Sequence, residues 1–317
     1  MISRRSALLT VAGIPATLSR RGTAHANSLN LSERIELPDG RKLGYAEVGD
    51  PTGRLVIYFH GTPGSRIEVR LIAEEAEAAG VRLVAMDRPG MGLSDYQPGR
   101  RILDCPADAD RLAAALGYEH TSFGVVGMSG GAPYALACIK CIPHRLTQVA
   151  IVSGHTPMNA PGVEPGNQDR LIAFIRRRPR LGEMGINAAI RLLRRNPNRF
   201  LQRASREWSE ADRQMIMPNP EYRALFIQTV SEATRCGSAG VLRAIQLLGG
   251  EWGFRLCDLP PASVSIWQGG DDPITPPSMG HYFHRNLVGS ELFVDPCAGH
   301  LTMPKWHAAE ILSRFAE

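Results

Sequence analysis

The stretch GVVGMSGGAPYALA, residues 124–137, decides the fold. Small and β-branched residues at 121–127 are typical of a buried strand, and the residues after Gly131 favour a helix. Ser129 lies at the junction in the pattern G-x-S-x-G, which places a serine on a sharp, strained turn because side chains at Gly127 and Gly131 would collide there. The pattern alone is a weak signal, but a strand before it and a helix after it favour an exposed nucleophile over a glycine loop.

Short apolar runs that close on Gly or Pro recur along the chain, with helical patterns between the early ones. These runs are residues 54–61, 81–90, 121–127, 146–154, 262–270 and 290–296. Their alternation with helices predicts the α/β class, with a mostly parallel sheet covered by helices on both faces. Residues 33–49 instead hold two alternating runs around a Pro-Asp-Gly turn, which predicts an antiparallel hairpin at the sheet edge.

A long segment without a convincing strand separates the fourth apolar run from the fifth. We predict a helical cap at 154–258, inserted into a core made of 27–153 and 259–317. Within it, residues 170–206 hold eleven arginines and one acid, Glu183. These arginines indicate either solvated helix faces or a lid that favours anionic substrates or anionic lipid surfaces. The apolar residues that we expect to face the core are Leu171, Ile172, Phe174, Ile175, Ile186, Ile190, Leu192 and Leu193.

Residues 1–26 have the order of an export signal. Arg4–Arg5 precede an apolar stretch at 7–18 and a small-residue cleavage site at 24–26. The arginine pair resembles a twin-arginine signal, although Arg20–Arg21 lies close to the cleavage site. We predict export to the periplasm or the extracellular space; the alternative is a mis-assigned start codon and a cytoplasmic protein.

The charge and the cysteines exclude several classes of protein. The formal charge of +5 falls to +1 for residues 27–317, which argues against a nucleic-acid-binding protein. Cys138 and Cys141 form a C-x-x-C inside a predicted helix without a second ligand pair, so we interpret them as structural cysteines. No His, Cys and carboxylate set has metal-ligand spacing, and no G-x-G-x-x-G follows a strand, so neither metal nor cofactor is expected.

A serine hydroxyl becomes a good nucleophile only when a base takes its proton, and that base is a histidine oriented by an acid. His300 follows the last apolar run, where a loop can return it over the end of the sheet. Asp271 and Asp272 follow the preceding run. The chain order serine, acid, histidine is the one described for α/β-hydrolases and differs from the other serine hydrolase orders.

The sequence resembles the α/β-hydrolase superfamily over about residues 30–317. Four stretches carry the resemblance: HGTPG at 60–64, DRPGMGLSD at 87–95, GMSGG at 127–131, and GGDDPITP at 269–276 with AGH at 298–300. The resemblance implies a triad of Ser129, His300 and Asp272, because the family's acid lies three residues after a glycine and a D-x-apolar-x-Pro run follows it. Asp271 is the alternative acid.

The resemblance also implies an oxyanion hole made by the backbone N–H groups of Thr62 and Gly130. Three other residues of catalytic type have structural interpretations. Asp87 is expected to fix a turn, and His60 to hold its loop. His155 follows a strand but has no acid beside it in the sequence, so we expect it to be structural.

We therefore expect a serine hydrolase that cleaves an ester or related acyl substrate with an apolar part. HGTPG is also similar to the HGGPG of proline iminopeptidases, whose serine usually lies in GGSWG, so an aminopeptidase is the alternative. A cofactor-free perhydrolase or a C–C hydrolase would use the same triad. A non-catalytic relative that binds a small ligand is the alternative outside enzymes, although such proteins usually lack a triad member. The acyl group, the leaving group and the oligomeric state stay open.

Overall fold

The computed structural model describes residues 30–316, so the predicted export signal at 1–26 lies outside the described residues. The strands are β1 (Asn30–Glu36), β2 (Lys42–Gly49), β3 (Arg54–Phe59), β4 (Val81–Met86), β5 (Phe123–Met128), β6 (Leu146–Val152), β7 (Val264–Gly269) and β8 (Glu291–Asp295). They form one sheet in the order β1-β2-β4-β3-β5-β6-β7-β8. The β1–β2 and β2–β4 pairs are antiparallel and the other pairs are parallel. The predicted mostly parallel sheet and its edge hairpin are confirmed.

Helices cover both faces of this sheet. They are α1 (Ala73–Ala78), α2 (Cys105–Ala113), α3 (Ala132–Cys141), α4 (Asp169–Arg177), α5 (Pro179–Arg195), α6 (Pro197–Ala204), α7 (Glu210–Ile216), α8 (Pro220–Ala233), α9 (Ala239–Leu248), α10 (Pro277–Asn286), α11 (Thr302–Trp306) and α12 (Ala308–Ser313). Neighbouring residues of one strand enter opposite layers: Val125 packs with α2, α3 and α10, whereas Val126 packs with α1 and α12. Since both faces are buried there, the central strands β3 and β5 are almost continuously apolar, whereas the edge strand β1 alternates exposed and half-buried residues.

The described chain between β6 and β7 contains six helices, α4 to α9, and no strand. A helical insertion is therefore present at the predicted place, while the cap boundaries at residues 154 and 258 stay predictions. The expectation that all eight apolar residues face inward is wrong for Leu171 and Phe174, which are 57% and 46% exposed. Helix α4 packs against α5 and α9 through Ile172 and Ile175, and its opposite side faces solvent. Among residues 30–316, no helix is long and apolar enough to cross a membrane.

Candidate active site

The loops at the carboxyl edge of the sheet carry all five residues predicted for the site. Thr62 follows β3, Ser129 and Gly130 follow β5, Asp272 follows β7 and His300 follows β8. These four strands lie within five consecutive places in the sheet and run parallel to each other. Open α/β sheets bind their ligands outside the carboxyl ends of the strands, so this edge is the expected position of a site.

Ser129 sits on a strained turn between β5 and α3. Its backbone φ is +53°, a conformation that non-glycine residues rarely adopt. A Cβ atom on Gly131 would lie 2.0 Å from the carbonyl oxygen of Phe59, and one on Gly127 would lie 2.9 Å from Cα of Ala132. Both glycines are therefore required where strand, turn and helix pass so close to one another.

A continuous chain of hydrogen bonds joins the three predicted triad residues. His300 Nε2 lies 3.0 Å from Ser129 Oγ, and His300 Nδ1 lies 2.8 Å from Asp272 Oδ2. Two backbone N–H groups donate to Asp272 Oδ1 at 2.8 and 2.9 Å, and the Thr275 hydroxyl donates to Asp272 Oδ2 at 2.7 Å. The side chain of the alternative acid, Asp271, is exposed. The structure thus brings Ser129, His300 and Asp272 together, and Asp271 takes no part in their hydrogen bonds.

The electrostatics around His300 favour its protonated form. Burial alone lowers the pKa of this imidazole, but the charge and hydrogen bond of Asp272, with smaller effects of Asp212 and Glu68, raise it above the usual histidine value. Because Nδ1–H donates to Asp272, Nε2 carries the free lone pair and accepts the Ser129 hydroxyl. The imidazole is therefore a stronger base toward Ser129 than free histidine.

The loop after β3 and the turn after β5 meet where an oxyanion hole would lie. The amide of Gly61 already donates to Glu68 Oε1 at 3.1 Å, whereas the Thr62 amide donates to no oxygen in the described part of the chain. A Cβ atom on Gly130 would lie 2.5 Å from Thr62 Oγ1, so glycine at this position permits the close contact. Thr62 and Gly130 are thus adjacent, and their role as oxyanion donors stays a prediction.

A fully buried arginine, which the sequence analysis did not single out, holds the loop after β3. Arg88 donates to the carbonyl oxygen of His60 at 2.7 Å and to Thr62 Oγ1 at 2.7 Å, and its guanidinium carbon lies 5.1 Å from the centre of the Tyr134 ring. Burial, together with the positive charge of Arg88, lowers the pKa of His60 well below its usual range. Neutral His60 therefore bonds the next carbonyl through Nδ1, at 2.8 Å, as a loop-holding residue would.

Asp87, which precedes Arg88, also holds its loop in place. Asp87 accepts hydrogen bonds from the Arg66 and Leu93 amides, both at 2.8 Å, and pairs with the Arg66 guanidinium at 2.9 Å. Burial raises the pKa of Asp87, against the opposing effect of Arg66. These contacts place Asp87 in the loop framework and not among the reacting groups.

His155 corrects one expectation from the sequence. Its Nε2 lies 2.8 Å from Asp169 Oδ1, and both side chains are buried, so an acid does stand beside it. The acid comes from the first residue of α4, and its approach to the end of β6 depends on tertiary packing that spacing does not reveal. The pair ties the start of the helical insertion to the core, and His155 donates its backbone N–H to the Ser129 carbonyl oxygen at 3.1 Å.

Asp212 of α7 is a further residue near the site that the sequence did not indicate. Its carboxylate is fully buried and accepts the backbone N–H groups of His300, Leu301 and Thr302 at 2.8 to 2.9 Å. In sequence, Ser209-x-x-Asp212 has the form of a capping box. Ser209 does cap α7, but the Asp212 side chain turns to the histidine loop instead of back to the cap. A helix of the insertion thus positions the predicted general base.

Ser129 and His300 line a cavity of about 270 Å³ under the insertion. Its wall is mostly apolar and includes Leu71, Met128, Phe200, Trp208, Phe226 and Val230. Two carboxylates, Glu68 and Glu207, also line it. Burial raises the pKa of Glu68, whose oxygens accept hydrogen bonds from Tyr58 Oη and the Gly61 amide. The cavity therefore places a mostly apolar wall beside Ser129 and His300.

Residues 56–310 match the model of the alpha/beta hydrolase family. This match covers most of the chain, so the protein belongs to the α/β-hydrolase family and is a hydrolase enzyme.

Curated relatives of the chain fall into two activities. It is 28% identical over 218 residues to a pimeloyl-[acyl-carrier protein] methyl ester esterase of Neisseria meningitidis, which covers 68% of this chain and 75% of the relative. It is 25% identical over 224 residues to a probable proline iminopeptidase of Streptomyces coelicolor, which covers 62% of this chain and 68% of the relative.

Among solved structures, a bromoperoxidase from Bacillus anthracis superposes with a TM-score of 0.65 at 18% identity, over 90% of this chain and 99% of that one. An esterase from Thermogutta terrifontis superposes with a TM-score of 0.62 at 21% identity, over 89% and 96%. At these identities the structures show the shared fold, and the activity must be argued from the site.

Proposed function

We propose that this hydrolase cleaves carboxylic esters with an apolar acyl or alcohol part through a covalent acyl-enzyme. The observation that carries the proposal is the hydrogen-bond chain from Ser129 through His300 to Asp272, which opens onto an apolar cavity. A nucleophile, its base and an orienting acid in series are the arrangement that acyl transfer requires.

In the first half of the reaction, Ser129 Oγ attacks the ester carbonyl while His300 Nε2 takes the hydroxyl proton. The resulting imidazolium is stabilised by Asp272, whose carboxylate is held in place by two amides and the Thr275 hydroxyl. The tetrahedral oxyanion would accept the Thr62 and Gly130 N–H groups. His300 then gives its proton to the leaving alkoxide, which departs as the alcohol.

In the second half, a water molecule replaces the alcohol. His300 Nε2 takes a proton from this water as it attacks the acyl carbonyl, and the same oxyanion donors are used again. Collapse of the second tetrahedral intermediate returns the proton to Ser129 and releases the carboxylic acid. Each oxyanion donor of this kind typically contributes about 2.7–4 kcal/mol to lowering the barrier, so the positions of the loops after β3 and β5 matter as much as the triad.

The cavity wall supports an ester over a peptide with a free amino terminus. A protonated amine is best bound by a charged carboxylate, and Glu68 is engaged by hydrogen bonds from Tyr58 and Gly61 while burial raises its pKa and so favours its uncharged form. Glu207 is the remaining carboxylate on the wall, and its side chain is exposed. An aminopeptidase would therefore depend on Glu207, whereas an esterase would not.

The test compares purified wild-type protein with Ser129→Ala, using a fluorophosphonate probe and p-nitrophenyl esters of increasing acyl length. We expect labelling and turnover that Ser129→Ala abolishes. Ser153→Ala is the matched control, because Ser153 is buried at the same sheet edge with a φ of +44°, and its hydroxyl has no hydrogen-bond partner in the described residues. Wild-type protein that neither labels nor cleaves any ester would contradict the proposal.

A second substrate panel separates the two activities of the relatives. We expect prolyl anilides to be cleaved more slowly than esters, with ester turnover unchanged in Glu207→Gln. Preferential cleavage of prolyl anilides, lost in Glu207→Gln, would favour an aminopeptidase instead.

We also propose that the protein is exported, on the basis of the leader sequence at residues 1–26. N-terminal sequencing of secreted or periplasmic material is expected to begin at Asn27. A full-length chain recovered from the cytosol would contradict export.

A further inference from the structure

The inserted helices carry an unusual set of arginines, which we call the arginine surface. All eleven are exposed, and within residues 30–316 none of them has a carboxylate partner within salt-bridge distance. They are Arg170, Arg176, Arg177, Arg178, Arg180, Arg191, Arg194, Arg195, Arg199, Arg203 and Arg206. Solvated helix faces normally mix both signs of charge, so a surface of this size without neutralising partners indicates a ligand that supplies the negative charge.

The distribution of charge over the rest of the chain strengthens this point. Residues 170–206 hold eleven arginines and one glutamate, a net charge of +10. Residues 27–317 together carry +1, so the residues of that range outside 170–206 carry −9. The nearly neutral total thus hides a strong polarity, with the positive end on the insertion. Such a field orients the molecule so that the insertion approaches an anionic surface first.

Large apolar side chains are exposed among these arginines. On α5, Leu181, Met184, Arg191 and Arg195 follow helical spacing along one exposed stripe, with Leu181 52% and Met184 65% exposed. On α4, Phe174 shares the exposed side with Arg170 and Arg177, which are four residues before it and three after it. Both helices therefore present cations and apolar side chains together, as helices that lie in a membrane interface do.

We propose that the arginine surface docks the enzyme on an anionic lipid bilayer. The arginines would bind lipid phosphates, and Phe174, Leu181 and Met184 would enter the boundary between headgroups and acyl chains. A nucleic acid would satisfy the charge but would leave the exposed Phe174, Leu181 and Met184 without an apolar partner. An acidic protein is separated from the lipid by the test below, and the lipid is favoured because arginines and apolar side chains lie together along both α4 and α5. The combination of the two features selects the lipid.

An apolar cavity connects this surface with the active site. Leu171, Phe174 and Leu181 line the outer part of a cavity of about 330 Å³ between α4, α5, α8 and α9. Pro63, Phe200 and Val230 line both this cavity and the one that contains Ser129 and His300. These three side chains form the shared wall, so an acyl chain entering from the lipid would reach Ser129 past Phe200 and Val230. Resting on the proposed esterase activity, the substrate class is an acyl ester carried in an anionic membrane.

Docking is tested by sedimentation of the full chain with vesicles of phosphatidylcholine alone or with 30 mol% phosphatidylglycerol, roughly the anionic content that gives a clear surface potential. The chain carries Ser129→Ala, so that binding is measured without turnover and independently of the proposed activity. We expect co-sedimentation with the anionic vesicles alone, weakened by salt. Absence of binding to anionic vesicles at low salt would overturn the proposal.

Two matched sets of variants locate the binding surface. Replacing Arg170, Arg177, Arg191 and Arg195 with glutamine is expected to weaken partitioning by about three orders of magnitude, since each arginine near an anionic surface contributes about 1 kcal/mol and about 1.4 kcal/mol is tenfold. Replacing four exposed arginines of the core, Arg34, Arg54, Arg111 and Arg285, removes the same charge and is expected to have little effect. Both sets keep the leader arginines. Equal losses from the two sets would overturn docking through the insertion.

The apolar contribution has its own matched pair. Leu181→Gln with Met184→Gln is expected to weaken partitioning at least about tenfold, because burying two such side chains contributes a few kcal/mol. Val288→Gln with Trp306→Gln changes two exposed apolar residues of the core and is expected to leave partitioning unchanged.

The alternative hypothesis, that the arginine surface binds an acidic protein, is tested with a purified acyl carrier protein. Tight binding to it without retention on anionic vesicles would replace the lipid by a protein partner and overturn the proposal.

The activity of the wild-type chain gives the last measurement. Long-chain esters carried in anionic vesicles are expected to be cleaved faster than the same esters in neutral vesicles. Equal rates in both vesicles, with the esterase active on soluble esters, would overturn delivery from the membrane while leaving the esterase proposal intact.

Discussion

Two arginines of the core and two of the insertion differ in their burial and in their partners. Arg66 is 2% exposed and pairs with Asp87 and Glu232 at 2.9 and 2.8 Å, and fully buried Arg88 donates to carbonyl and hydroxyl oxygens of the loop after β3. Arg191 and Arg195, by contrast, are exposed and have no carboxylate partner among the described residues. Arg66 and Arg88 hold loops in place, whereas Arg191 and Arg195 are exposed to an external ligand.

This difference shows which region must hold its atoms in precise positions. Acyl transfer depends on atoms held to within a fraction of an ångström, and the carboxyl edge of the sheet holds them with buried, mutually satisfied groups. Docking depends on charge and apolar area, which tolerate mobile side chains. The two regions meet at Asp212 and at the His155–Asp169 pair, where acids of the insertion bind the core. Substitutions at each region and at their contacts test how separate the two regions are.

The largest effect is expected for Asp272, the acid of the proposed triad. Asp272→Asn is expected to lower kcat about 10⁴-fold, because an amide donor facing Nδ1 favours the tautomer whose Nε2 cannot accept the serine proton. Asp271→Asn, at an exposed neighbour, is expected to stay within twofold of wild type, roughly as for other surface substitutions. Steady-state kinetics on a p-nitrophenyl ester measure both. If Asp271→Asn lost more activity than Asp272→Asn, Asp271 would be the orienting acid.

The next effect lies at the contact between the regions. Asp212→Asn keeps the size of the side chain but removes the charge and one of the oxygens that accept the His300, Leu301 and Thr302 amides. We expect kcat/KM to fall up to about 100-fold through misplacement of the imidazole. We also expect the acid limb of the pH profile to move to lower pH, because the Asp212 charge helps to raise the pKa of His300.

Asp169→Asn is the control for Asp212→Asn. It also removes a buried acid of the insertion, but its partner is His155, not His300. We expect it to reduce thermal stability without moving the acid limb. If both variants lose activity in proportion to stability, with unchanged pH profiles, Asp212 would be structural and not a positioning residue.

Those parts of the fold and the site that depend on hydrophobic periodicity and motif spacing could be predicted from the sequence. Buried strands such as β5 are continuous apolar runs, and Ser129, Asp272 and His300 each follow one, so the parallel sheet and the grouping of these residues could be derived. What it did not predict depends on tertiary packing. Asp212 has no sequence signal that links it to the His300 loop, and the acid beside His155 approaches from a different element. Helical spacing also failed for Phe174, because it shows which residues share a side but not which sides a neighbour covers.

The pH profile tests the electrostatics of the core directly. His300 must be neutral to accept the serine proton, and its pKa is raised above 6.5, chiefly by Asp272 against the opposing effect of burial. A raised pKa keeps the imidazolium present at higher pH, so kcat/KM should fall about tenfold per pH unit below an inflection that lies above 6.5. Profiles from pH 5 to about 9 measure this. An inflection below that of free histidine would show that burial dominates.

The smallest effect concerns the backbone strain at Ser129, the proposed nucleophile. Ser129 has a φ of +53°, so Ser129→Ala retains the strain while Ser129→Gly releases it. We expect the glycine variant to be more stable than the alanine variant by about 0.5–1 kcal/mol in denaturant unfolding, since relief of a left-handed conformation exceeds the entropic cost of glycine. At Ser122, which is exposed and has no positive φ, we expect Ser122→Ala to be more stable than Ser122→Gly. If glycine were the less stable at Ser129 as well, the turn would hold no strain. The precision of the core would then come from its hydrogen bonds alone.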